Sequence, residues 1–191
     1  MRERWARDVL HCPYCHGYEV RDRRLGVLGG TAGSVRYAQI VRQWSDDLVY
    51  FTAPGTLTAV DRTGLAACGI GVVEGAIDQL VIDDDRLRGV QLHDGCVVAC
   101  DALFVPPRFM PNNRLLVGLG CDVDGDGWVT ADTTGRTSVP GVWAAGNVID
   151  PRAQVITAAG AGSAAAIALN TDLVDDDVRT AVHDADHHQL P

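Results

Sequence analysis

Cys12, Cys15 and His16, in the string HCPYCHGYEV from His11 to Val20, are the residues whose types and spacing could do chemistry. Cys-x-x-Cys followed by His can be a redox disulfide, half of a zinc site or a c-type haem attachment. Haem attachment needs export to an oxidising compartment and usually a distal His or Met. The opening MRERWARDVLHC has no apolar run of signal-peptide length, and Met110 is the single internal methionine. Tetrahedral zinc wants a second pair. The nearest is Cys96 with Cys100, in a strand pattern where residues four apart share a face but lie about 13 Å apart. A redox disulfide needs only the pair and a proton carrier, and the imidazole of His16, with an unperturbed pKa of about 6.5, supplies one. One thiol at this spacing commonly has a lowered pKa, which makes the attacking thiolate. The expectation is a reversible Cys12–Cys15 disulfide with His16 as acid and base, and no metal ligand.

The elements that must position this motif follow it directly. RLGVLGGTAGSVRYAQIVRQWSDDLVYFTAPG reads as strand, glycine turn, helix and strand, with Ser34 as a cap and Val35, Ala38, Ile40, Val41 and Trp44 at helical spacing. That is a βαβ unit. From Gly71 to Val105 the runs GVVEG, DQLVID, RLRGVQLH and CVVACDALFVPP suggest an antiparallel meander followed by a return to the sheet. Pro106 and Pro107 then stop the strand and mark a lobe boundary. Beyond them come turns, short strands and QVITAAGAGSAAAIALNTDLV, a small-residue helix expected to pack closely against a neighbour. Residues 175–191 read as a frayed polar tail in which His183, His187 and His188 are solvated.

Composition narrows the function classes. With 47% hydrophobic and 21% charged residues the chain is globular. Its net charge of −9, with the arginines dispersed, argues against nucleic acid and anionic membranes as partners. No segment approaches the roughly 20 apolar residues of a membrane span, so the expected location is the cytoplasm. In that reducing compartment Cys68, Cys96, Cys100 and Cys121 are expected to be small buried hydrophobes.

Two further motifs compete for attention. GGTAGS, with Gly29, Gly30, Thr31 and Ser34, places a glycine turn between a strand and a helix, where backbone N–H groups can hold a pyrophosphate. It is not a full G-x-G-x-x-G: Thr31 and Ser34 stand at the second and third glycine positions, and no Arg or Lys between Arg42 and Arg62 can meet a 2′-phosphate. NADPH binding is therefore doubtful. DVDGDG at Asp122–Gly127 imitates a calcium loop, but Thr133 replaces its closing Glu, so a hairpin turn is expected.

The string CPYCHGYEV, followed by GVLGG and later by TSVPGVWAAGNV and QVITAAGAGSAAA, resembles the low-molecular-weight thioredoxin reductases over residues 9–174. His16 after the second cysteine is more narrowly similar to the dithiol oxidases of the gliotoxin and holomycin type. The resemblance implies an α/β fold: a Rossmann-like nicotinamide-type lobe with an antiparallel meander over 9–107, and the C-terminal half of a split FAD-binding domain over 108–174. It implies that Cys12 and Cys15 exchange electrons between FAD and a dithiol or disulfide substrate, that His16 moves the proton, and that the enzyme is a homodimer. The flavin-facing positions fall on Gly146 and Asn147, where an amide replaces the family's carboxylate, and on Gln154, Val155, Ile156 and Thr157. In that family the FAD pyrophosphate loop precedes the nicotinamide domain. Met1 falls within the linker that should follow it, so the chain is expected to be a fragment, to take that half from another chain or to have given up flavin. Alone it should bind FAD weakly at best. The alternatives are an NADPH-dependent thioredoxin reductase and a non-catalytic Rossmann-fold binding or assembly module.

Overall fold

The computed structural model describes residues 1–188; the side chains of His187 and His188 lie outside the described residues. It divides into two units, Met1–Arg108 and a second beginning at Phe109.

The first unit is built on a parallel five-stranded sheet. Its strands are β1 (Val9–Leu10), β2 (Leu25–Leu28), β3 (Leu48–Thr52), β4 (Gly71–Glu74) and β8 (Ala102–Phe104), in the spatial order β1-β8-β2-β3-β4. A second sheet, β5 (Ile77–Asp83), β6 (Arg86–Leu92) and β7 (Val97–Ala99), is an antiparallel meander. The run GVVEG, grouped above with the meander, is instead the parallel edge strand β4 against β3. A four-residue run has too little periodicity to say which sheet it joins.

Period-2 alternation makes the first unit three layers deep. Leu48 and Tyr50 of β3, with Ala102 and Phe104 of β8, enter a core shared with α2 (Ser34–Val41) and α3 (Ala59–Ala67). Phe51 and Leu103, on the opposite face, pack with Leu87, Val90 and Leu92 of the meander. Each large apolar side chain so buried contributes about 1.5–3 kcal/mol. Gly26 lets the layers meet, because a Cβ there would press on the Phe51 ring at 2.8 Å. The helix α3 carries no signal used above, although Thr58 and Asp61 form a reciprocal capping box at its start.

An ion-pair knot ties the chain start to the meander. Arg4 Nε donates to Asp8 Oδ1 at 2.9 Å, Arg4 Nη1 to Asp85 Oδ1 at 2.6 Å, and the Leu87 N–H to Asp8 Oδ2 at 2.9 Å. Burial acts to raise the Asp8 carboxyl pKa, but the donations from Arg4 and Leu87 outweigh it and hold it below the usual carboxylate range.

The second unit has a thin core of Cys121, Val129 and Ala144. Three antiparallel bridges and the short α4 (Arg114–Gly118) surround it. The DVDGDG segment is the turn of the Val123–Val129 bridge, with Asp124 accepting from the Asp126 and Trp128 N–H groups. The helix α5 runs from Val155 to His188, so residues 175–188 of the expected tail continue it rather than fraying, and residues 189–191 lie outside the described residues. It does not pack closely as expected: only Ala165 is buried among its described residues. No described helix is long and apolar enough to cross a membrane.

Candidate functional site

Cys12 and Cys15 are joined as a disulfide at the carboxyl end of β1. Pro13 starts the single-turn α1 (Pro13–His16), where its missing N–H costs nothing, and Cys12 is the N-cap, its Sγ accepting from the Cys15 N–H at 3.1 Å. When the disulfide opens, that N–H meets charge developing on Cys12 Sγ. His16 ends the turn, and its Nδ1 lies 3.2 Å from Glu19 Oε2, which orients the ring. Cys12, Cys15 and His16 are therefore brought together within one turn.

Sequence reasoning missed three neighbours. His11 stacks on Trp5, with ring centroids 5.2 Å apart and planes 9° apart, and meets His16 edge-on at 6.4 Å. Burial, and then the charge of His16, hold the His11 imidazole below its ordinary range. Tyr37 Oη donates to the His11 carbonyl at 2.7 Å, and burial pushes the Tyr37 hydroxyl pKa well up. His11 and Trp5 stood beside the motif in the sequence; Tyr37 had no signal of its own.

The glycine turn lines a separate cleft of about 620 Å³. Gly30 and Gly33 adopt left-handed φ values of 88° and 78°, as a strand-to-helix turn requires. Ser34 does not cap as expected. Gly33 is the N-cap, and the Ser34 hydroxyl turns back to the Thr31 carbonyl at 2.6 Å and to Tyr50 Oη at 2.7 Å. Tyr50 Oη also accepts from the Gly30 N–H at 3.4 Å, and a Cβ on Gly29 would fall inside the Tyr50 ring. The phenol thus engages an N–H group of the turn that a pyrophosphate would use. Arg36, a cation passed over above, lines the cleft, and the Asp61 carboxylate there is already bound by Thr58. These residues fit a nicotinamide dinucleotide poorly at its phosphates.

The positions expected to face flavin lie in the second unit. Gly146 has φ 75° and starts a 3-10 turn over Gly146–Val148. Asn147 Nδ2 donates to the Asp150 and Ala153 carbonyls at 3.0 and 3.1 Å, bonds a carboxylate could not make, which leaves Oδ1 as an acceptor for a hydroxyl. Gln154 precedes α5, its carbonyl accepting from Ala158 at 2.8 Å. Val155 and Ile156 are 89% and 80% exposed in the first turn, next to helix N–H groups that have no intrahelical partner. An acceptor for a sugar-like chain beside bare apolar side chains fits one end of a flavin.

Of the four other cysteines, Cys100 and Cys121 are buried, whereas Cys96 is exposed and Cys68 partly so, against the expectation for both. Burial pushes the Cys100 thiol up to about 12, which makes it inert. Among the described residues no group of three or more His, Cys, Asp or Glu could hold a metal ion.

Comparison with known proteins places this arrangement. The family model for pyridine nucleotide-disulphide oxidoreductases matches residues 18–165. The crystal structure of HlmI superposes with a TM-score of 0.94 at 55% identity, covering 99% of this chain and 59% of that one. An alkyl hydroperoxide reductase component of Pseudomonas putida is 29% identical over 88% of this chain and 34% of its own length. Thioredoxin reductase of Listeria monocytogenes is 26% identical over 84% and 53% respectively. The chain thus spans between a third and three fifths of these relatives, and it belongs to the pyridine nucleotide-disulphide oxidoreductase family.

Proposed function

We infer that the chain is the disulfide-bearing part of a flavin-dependent thiol-disulfide oxidoreductase of the dithiol oxidase type. The observation that carries this reading is the Cys12–Cys15 disulfide with His16 on the same turn, oriented by Glu19. A substrate thiolate attacks one sulfur of the pair, and the second substrate thiol closes on the mixed disulfide. The substrate leaves as a disulfide, two electrons and two protons remain with Cys12 and Cys15, and His16 takes or returns the proton at each sulfur. Flavin bound beside the pair would supply the two-electron acceptor that returns Cys12 and Cys15 to the disulfide. Asn147, Gln154, Val155 and Ile156 are the residues of this chain that would hold it.

The intrusion of Tyr50 into the glycine turn favours the oxidase over an NADPH-driven reductase. In this reading the substrate is a dithiol and the working enzyme a homodimer in the cytoplasm. The test is a longer chain reconstituted with FAD. Consumption of oxygen on adding a small dithiol, with no oxidation of NADPH, supports the reading; NADPH-dependent reduction of the disulfide overturns it.

A further inference from the structure

The redox segment is gripped from one side by α2 and the turn that follows it. Tyr37, in α2, donates its hydroxyl to the His11 carbonyl at 2.7 Å, just before the disulfide. Trp44, in the turn that follows α2, accepts from the Asp22 N–H at 2.9 Å through its backbone carbonyl, just after the segment ends. Between these points the Trp44 indole lies against Gly17. A Cβ built there would fall among Nε1, Cδ1 and Cε2 of the ring. Gly17 has ordinary right-handed helical angles, φ −58° and ψ −39°, so its backbone does not require glycine; the indole does. Tyr37 and Trp44 are themselves packed against the helix-side core, so the grip is anchored in the part of the unit least free to shift.

We propose that Tyr37 and Trp44 are positioning residues that hold the His11–Asp22 segment in the backbone geometry the Cys12–Cys15 disulfide requires, with Gly17 as the slot that admits the indole. A disulfide tolerates only a narrow range of backbone placements, whereas two thiols tolerate many. Any shift of the segment therefore penalises the oxidised form more than the reduced one. The device sets how readily the pair is reduced, and so deepens the thiol-disulfide reading on which its functional meaning rests.

The test is the equilibrium of the Cys12–Cys15 pair in the 191-residue chain against a dithiothreitol redox buffer, a readout that needs neither flavin nor turnover. Gly17→Ala should favour the dithiol by about tenfold, or about 30 mV. The double variant Gly17→Ala with Trp44→Leu opens space for the added methyl and should return to within about threefold of the wild-type equilibrium. An unchanged equilibrium in Gly17→Ala, or a double variant no closer to wild type than Gly17→Ala, overturns the proposal. If Gly17→Ala does not fold, Tyr37→Phe decides: a shift of about threefold toward the dithiol supports the grip and no shift overturns it. A chain that shows these shifts but never turns over with flavin leaves the positioning role standing and removes the functional reading.

Discussion

The two units use apolar residues in opposite ways. In the first, alternating side chains fill both faces of the parallel sheet, and Tyr50, Phe51, Phe104 and Leu65 are fully buried. In the second, three buried residues make the core, and Ile167, Leu173, Val174, Val178 and Val182 stand half or more exposed along α5. The difference is one of architecture more than of composition. A sheet has two faces to cover and covers them within the unit, whereas a long helix with few neighbours leaves its apolar side to whatever else is present. The disulfide lies in the self-sufficient unit and the residues proposed to hold flavin in the other. Chemistry at Cys12 and Cys15 should therefore survive disturbance of the second unit, and flavin binding should not.

The sharpest test of that contrast is Cys15→Ser. Thiol counting before and after mild reduction should change by two in the wild-type chain and not at all in the variant. A change of two in the variant would assign the disulfide to other cysteines.

Next in size, His16→Asn should slow reduction of the disulfide by a small dithiol about 10²-fold or more, the scale of one positioned acid and base, and change the pH profile of that step. Full rate with an unchanged pH profile would reduce His16 to a structural neighbour.

The second unit is tested by its bare helix. The chain should self-associate in sedimentation, and Ile167→Glu with Val178→Glu should weaken that association about tenfold while leaving the thiol count of the first unit intact. Loss of reversible thiol chemistry in this variant would break the separation of the two units.

The smallest effect concerns acid. The Asp8 pKa is lowered in the folded state, so its stabilising contribution is complete above the unfolded carboxyl value of about 3.9 and is lost as pH falls through the folded value. Asp8→Asn should lower the urea midpoint of the first unit at neutral pH, and the gap should narrow below about pH 4. A gap independent of pH would mean that the Arg4–Asp8 pair is not the source.

Much of the first unit is legible in the sequence because its signals are local: the strand, glycine turn and helix after Arg24, the β-branched runs of the meander and the cysteine spacing. What escapes depends on residues distant in the chain. Nothing near Gly17 announces Trp44, and nothing in the glycine turn announces that Tyr50, on the next strand, reaches into it. The strand β4 reads with the wrong sheet because pairing partners, and not its own residues, decide membership. In the second unit, the polar run after Leu173 reads as tail because its acids and histidines hide an unbroken helical register.

The position of β1 bears on when the site comes into being during synthesis. Its ladder partner is β8, with Val9 opposite Leu103 and Leu10 opposite Phe104. Arg4, just upstream, grips Asp85 on the β5–β6 turn. Both ends of the segment leading into Cys12 thus wait for residues made much later, and contacts so far apart in sequence form slowly. On a ribosome the two cysteines emerge before β8 and Asp85, the residues that frame the strand leading to them. Until β8 is made the pair has no sheet to seat it, and its thiols should then exchange more freely with small disulfides than they do in the folded unit.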